Sequence, residues 1–112
     1  MSLSVTVHGI VVVAGPQTHG RWATADVTTT DGTDNIIYTI PDGVDYAITS
    51  VLILNRAAVA ATYVSIAIAQ ADVPNASEFI DWNASLVPRG VLERTQMILN
   101  AGDRIIVRVG PV

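Results

Sequence analysis

The chain has 112 residues, half of them hydrophobic and 14% charged, with a net charge of −4 and no cysteine. That length and apolar content fit one compact domain with a radius of gyration of about 13 Å and exclude a highly solvated, disordered chain. No apolar run reaches the ~20 residues that cross a bilayer as a helix, and without cysteine the fold uses neither a disulfide nor a thiolate metal site.

In chain order the pattern is strand, turn, strand. Val, Ile and Thr dominate, and no segment keeps a helical period beyond about two turns. Leu3 to Val13 is the first expected strand. Gly15-Pro16 ends it, because proline fixes φ and has no N–H to give to a ladder. The segment before Ile10 to Ala14 lacks a basic region, so a signal-peptide core is not expected there. Arg21 to Thr29 follows, with Trp22, Thr24, Asp26 and Thr28 on one face and Ala23, Ala25, Val27 and Thr29 on the other. Asp31-Gly32 marks a turn. Asn35 to Ile40 is strand-like and closes at Pro41-Asp42-Gly43, where proline presets the first corner and glycine supplies positive φ.

Tyr46 to Asn55 is the most apolar stretch. Val51, Leu52, Ile53 and Leu54 are apolar in both phases, as in a central strand buried on both faces. Arg56 to Ala61 reads as a loop. Thr62 to Ala69 alternates large Val64, Ile66 and Ile68 with mostly small residues, which suits a sheet whose second face is closely approached. Gln70 to Ser77 is irregular around Pro74. Glu78 to Trp82 is a short strand, Asn83 to Pro88 a loop, and Gly90 to Leu99 a strand. A tight connection, Asn100 to Asp103, leads into Arg104 to Val109, with Ile105, Val107 and Val109 on one face and Arg104, Ile106 and Arg108 on the other. About eight short strands, with turn signals roughly every 8–12 residues, predict an all-β antiparallel β-sandwich, jelly-roll-like, as a single domain over residues 1–112. No strand–helix alternation is present to build a parallel sheet.

The charges narrow the function classes. All six cations are arginines, Arg21, Arg56, Arg89, Arg94, Arg104 and Arg108, against ten acids. Such a chain has no basic stripe to neutralise phosphates, so neither nucleic acid nor a polybasic membrane contact is expected. Arginine without lysine, at a charged fraction well below the usual ~25%, points to surface buried against other subunits; a compositional habit of the source genome is the alternative.

The residues offer little chemistry. Asp31, Asp34, Asp42 and Asp45 sit in neighbouring loops, but no calcium loop is present, and aspartate populates turns by bonding its own backbone. His8 and His19 have no third zinc ligand at a matching spacing. There is no Gly-X-Ser-X-Gly elbow. The expectation is therefore no catalytic residue, no metal and no cofactor. Two Asn-X-Ser sequons, at Asn75 and Asn83, read as chance matches. Phe79 and Trp82 lie beside Glu78 and Asp81. A sugar ring stacked on Trp82 is one reading, and a core or subunit-interface aromatic is the favoured one. Glu93 and Arg94 are consecutive strand residues on opposite faces. One of them faces inward or into an interface, where an unpaired charge is costly, so an ion pair across subunits through Glu93, Arg94 or Arg104 is expected.

Two stretches carry a resemblance. Tyr38-Thr-Ile-Pro41-Asp-Gly43 runs into Tyr46-Ala-Ile-Thr-Ser-Val-Leu-Ile-Leu-Asn55-Arg56, and Arg89-Gly-Val-Leu-Glu93-Arg94-Thr95 is followed by Leu99-Asn-Ala-Gly102-Asp103-Arg-Ile-Ile-Val-Arg108. Over roughly residues 36 to 109 this resembles small β-sandwich structural proteins of tailed-bacteriophage virions, the capsid decoration or cement proteins and their tail-associated relatives. In that group a Tyr-x-Val-Pro-x-Gly turn leads into a strand that often ends in Asn, and a Leu-Glu-Arg strand precedes Leu-x-x-Gly-Asp; Ile40 here replaces the valine. The resemblance implies structural roles and no active site. Pro41 and Gly43 shape a turn, Asn55 bonds backbone at a strand end, and Gly102 and Asp103 lead into the last strand.

The resemblance also implies a non-enzymatic virion component assembled in the bacterial cytoplasm. The first expectation is a decoration or cement protein, a homo-oligomer with a trimer favoured, that bridges subunits of the major capsid protein. The alternatives are a baseplate or tail-fibre connector contacting tail proteins, and a carbohydrate-binding module using Trp82 or Trp22. Residues 1–14 have no counterpart in the group. An apolar arm there, with Val5, Val7, Ile10 and Val12 as contact residues, would add a strand to a neighbour's sheet edge; an ordinary first strand of the same sandwich is the other reading.

Overall fold

The computed structural model describes residues 3–12, 18–28, 32–43, 46–58 and 61–110, and the side chains of residues 10–12, 18–23, 61 and 62 lie outside that description. Eight strands form in chain order: β1 Leu3–Val12, β2 Thr18–Val27, β3 Asp34–Thr39, β4 Tyr46–Asn55, β5 Ala61–Ala69, β6 Phe79–Leu86, β7 Val91–Leu99 and β8 Arg104–Val109. A single 3-10 turn, Ala76–Glu78, precedes β6. The strands make two four-stranded antiparallel sheets, sheet A in the order β2-β1-β4-β7 and sheet B in the order β3-β8-β5-β6. The expected all-β sandwich is the observed fold.

The topology is that of a folded-over ladder. β5 pairs with β6, β4 with β7 and β3 with β8, each pair nested outside the last. The partner of β2 in this series is β1, taken from the start of the chain, and β1 also pairs with β4 along its whole length. Nested pairing rolled into two sheets is the jelly-roll arrangement.

The inner faces of both sheets supply the core. Leu3, Val5 and Val7 of β1 meet Val51 and Ile53 of β4, Val64 and Ile66 of β5, and Ile105 and Val107 of β8, all fully buried. Val5 and Val7 thus correct the arm reading. Each gains roughly 1.5–3 kcal/mol by leaving water inside its own sandwich, and β1, bonded on both sides, presents no such side chain to a neighbour. Ile10 and Val12 pair in register with Ile48 and Tyr46 of β4, and their side chains lie outside the described residues. The expectation that β4 is buried on both faces is also corrected. Val51 and Ile53 are buried, whereas Leu52 and Leu54 are only half-buried, because none of the described residues covers the outer face of sheet A. β6 runs on to Leu86 where a loop from Asn83 is expected, because Asn83 adopts φ 51° and bulges within the strand instead of ending it.

The motif residues sit at the joints. Gly43 and Gly102 take φ of 83° and 87°, the left-handed region that glycine enters at no steric cost. The two turns are tied together: Gly102 N–H donates to the Ile40 carbonyl and Ile40 N–H to the Asp103 carbonyl, both at 2.9 Å. The Asp103 carboxylate accepts from Asn100 N–H at 2.7 Å and from the Gln70 amide. A Cβ at Gly102 would lie 2.9 Å from Gln70 Oε1. Pro41 is exposed at the corner before Gly43. Asn55 is fully buried; its amide nitrogen donates to the carbonyls of Leu86 (3.2 Å) and Val87 (3.1 Å), and its Oδ1 accepts from Ala57 N–H (3.0 Å). It thereby joins the end of β4 to the β6–β7 connection. Asn55→Ala leaves these backbone groups without their side-chain partner and is expected to cost about 2–4 kcal/mol, read from urea unfolding; a loss below about 1 kcal/mol would show that water replaces it.

Candidate interaction surface

Sheet B covers its own outer face. Ser65, Ala67, Ala69 and Ile106 point outward yet are buried, because the small side chains let Phe79 and two long arginines lie across them. Arg108 grips Asp34 with both ends of its fork, at 2.8 and 3.2 Å, and its guanidinium carbon stands 4.8 Å from the centre of the Phe79 ring. Phe79 meets Trp82 edge to face, 4.7 Å between centroids. Arg104 pairs with Asp72 at 2.8 Å and donates to the carbonyls of Gln70 and Gly102. Ser65 Oγ accepts from Asn83 N–H at 2.9 Å. The charges on this face are therefore matched within the chain.

Arg94 reaches from β7, the edge of sheet A, to Asp81 on β6, the edge of sheet B. The expected ion pair across subunits is corrected accordingly: Arg94 and Arg104 both find their carboxylates in the same chain. The partner of Arg94 lies on another sheet, so consecutive-residue reasoning about Glu93 and Arg94 missed it. Asp81 is almost wholly buried, and its second oxygen has no hydrogen-bond partner among the described residues. Glu93 stays exposed on the outer face of sheet A, opposite Leu52.

That outer face differs from sheet B. β4 lends it Ile48, Leu52 and Leu54, all half-buried, and β7 adds Val91 opposite Leu54 and Ile98 opposite Ile48. Val91 is 57% exposed and Ile98 71%. Among the described side chains, the β1–β2 half of the face offers Ser4, Thr6, His8, Thr24 and Asp26, with a shallow hollow lined by Ser4, Thr24, Ala25 and Asp26. Sequence reasoning missed the stripe as a surface, although its trace was the run Val51 to Leu54, apolar in both phases. Trp82, 58% exposed at the rim of sheet B, is the other large exposed side chain that the sequence singled out. Of the four turn aspartates, Asp34 is engaged by Arg108, Asp42 is exposed on its turn, and Asp31 and Asp45 lie outside the described residues.

The four sheet edges are β2, β7, β3 and β6. At each, the edge strand carries an extra residue against its inner partner: Trp22 on β2, Ile37 on β3, one within 95–96 on β7, and two on β6, whose inner partner β5 carries one of its own within 62–63. Gln96 and Asn83 take positive φ at two of these bulges. Bulges twist an edge away from a flat template and oppose strand addition. Searches against family models, curated proteins and solved structures found no match.

Arg94→Ala strips the cation from a nearly buried carboxylate and is expected to cost about 1–2 kcal/mol, less than a fully buried pair because Arg94 itself is half in water. A double-mutant cycle with Asp81→Ala, read by thermal unfolding, should give a clear coupling energy. Additive effects would mean that the pair contributes nothing.

Proposed function

We propose that the chain is a non-enzymatic structural component of a tailed-phage virion, a capsid decoration or cement protein that bridges neighbouring capsid subunits. The observation that carries this reading is the apolar stripe of Leu54, Val91, Leu52, Ile48 and Ile98 grouped on the outer face of sheet A. Large apolar side chains grouped on one face mark a surface that another macromolecule covers. The resemblance of residues 36 to 109 to virion proteins supplies the partner class. Its motif residues act as joints of the scaffold, Asn55 holding the β6–β7 connection and Gly102-Asp103 holding the Pro41 turn. The mechanism is mechanical: many copies, each making a modest contact, add up through their common attachment to the shell.

A second reading rests on Trp82. An exposed indole braced edge-on by Phe79 is the kind of platform on which a sugar ring stacks.

Copy number in purified particles separates these readings, measured by quantitative mass spectrometry against the major capsid protein. Hundreds of copies per particle are expected for a decoration role. A dozen or fewer would move the protein to the tail or baseplate, and absence from particles would overturn the virion reading. Glycan-array binding lost in Trp82→Ala would then put the sugar platform in its place.

A further inference from the structure

The uncovered stripe has a pattern of its own. It holds two apolar pairs, Leu54 with Val91 at one end and Ile48 with Ile98 at the other. They stand six residues apart along β4, about 20 Å at the rise of a strand. Leu52 and Ser50 lie between them. The charge changes sign along the same line. Beyond Leu54 and Val91 come Arg56 and Arg89, both exposed and without a carboxylate partner among the described residues. Beyond Ile48 and Ile98 come the Pro41-Asp42-Gly43 turn, with Asp42 exposed, and the Gly102-Asp103 turn bonded to it. Arg94, Arg104 and Arg108, by contrast, are matched within the chain.

A half-turn about an axis in the plane of the face, perpendicular to β4 and passing near Leu52 and Ser50, exchanges the two ends. It lays Leu54 and Val91 of one copy over Ile48 and Ile98 of the other, at both ends at once. It also carries Arg56 and Arg89 of each copy toward Asp42 of its partner. We infer that the outer face of sheet A is a two-fold interface at which a second copy of this chain packs with its strands antiparallel. The self-complementarity is what an isologous contact requires, since one patch must fit itself. The bulged edges leave face packing, not strand addition, as the route to association. Glu93 projects from the same face, opposite Leu52 and between Val91 and Ile98 on β7, so it falls near the axis, where its carboxylate opposes the pairing.

The face of four strands is roughly 15–20 Å wide and 30 Å long. It would bury about 1,000 Å² over both partners, at the low end for a specific interface, so the pairing is expected at micromolar concentration. The test is sedimentation equilibrium of the purified full chain, with no capsid present; a dimer here takes up the stripe and leaves the virion reading to the copy number in particles, which is measured separately. A monomer–dimer equilibrium of the 11.8 kDa chain is expected. Ile98→Glu should raise the dissociation constant about a hundredfold, since it places a charge in an apolar pair that the half-turn buries twice. Arg89→Asp should raise it about tenfold. Ile98 is mostly exposed, so its variant should keep the fold, which circular dichroism checks; Val91→Asp serves if it does not. The absence of natural cysteine allows a geometric test as well. Mixed Val91→Cys and Ile98→Cys chains should form a disulfide-linked heterodimer faster than either forms with itself. A monomer at all concentrations, a trimer, a dimer indifferent to Ile98→Glu, or preferred like-with-like cross-links would each overturn the inference.

Discussion

Two four-stranded sheets leave four strand edges, and a row of unpaired backbone groups along any of them is a template for another chain. The way this protein meets that constraint shapes the rest of it. Every edge strand carries at least one residue more than its inner partner, at Trp22, Ile37, Gln96 and Asn83 or their immediate neighbours. The inner strands, β1 with β4 and β8 with β5, keep longer runs of register and hold the buried core of Leu3, Val5, Val7, Val51, Ile53, Ile66 and Ile105. Irregularity gathers at the edges, with one bulge on inner β5 where Tyr63 takes φ 60°, and the long regular runs pack the core.

With the edges blunted, the two outer faces distinguish the molecule's sides. Sheet B is finished from within: small Ser65, Ala67 and Ala69 leave room for Phe79, and Arg104 and Arg108 lie over them with their own carboxylates. Sheet A is left unfinished along β4 and β7, where Val91 and Ile98 stand in water. The Arg94–Asp81 clasp closes the side of the sandwich where the β6 and β7 edges approach. Six of the sixteen charged residues are spent on the three ion pairs of sheet B and the clasp.

Much of the scaffold was legible in the chain. Alternation in Thr62 to Ala69 and Arg104 to Val109 gave the faces as they are found, and Pro41-Asp42-Gly43 and Gly102-Asp103 marked turns that do bend there. What was not legible depends on partners far along the chain. Whether Leu52 and Leu54 are covered depends on what packs over sheet A, and periodicity cannot say that nothing among the described residues does. Asn83 and Gln96 bulge because tertiary pairing holds them at positive φ, a conformation that no local propensity announces. Arg94 finds Asp81 only after the two sheets fold over each other, so a charge that looked unpaired in its own strand is matched. The N-terminal strand read first as an ordinary strand of the sandwich, with an arm to a neighbour as the other reading. The slot between β2 and β4, which needs three buried side chains, decides for the sandwich.

The central claim is that this protein meets other molecules through the β4–β7 face, not through an edge or a cleft. Amide hydrogen exchange, followed by mass spectrometry across a dilution series of the purified chain, tests it most directly. The account predicts that raising the concentration slows exchange in peptides covering Ile48 to Leu54 and Val91 to Ile98 and leaves β2, β3 and β6 unchanged. Slower exchange along β2, β3 or β6, or no change anywhere at high micromolar concentration, would contradict it.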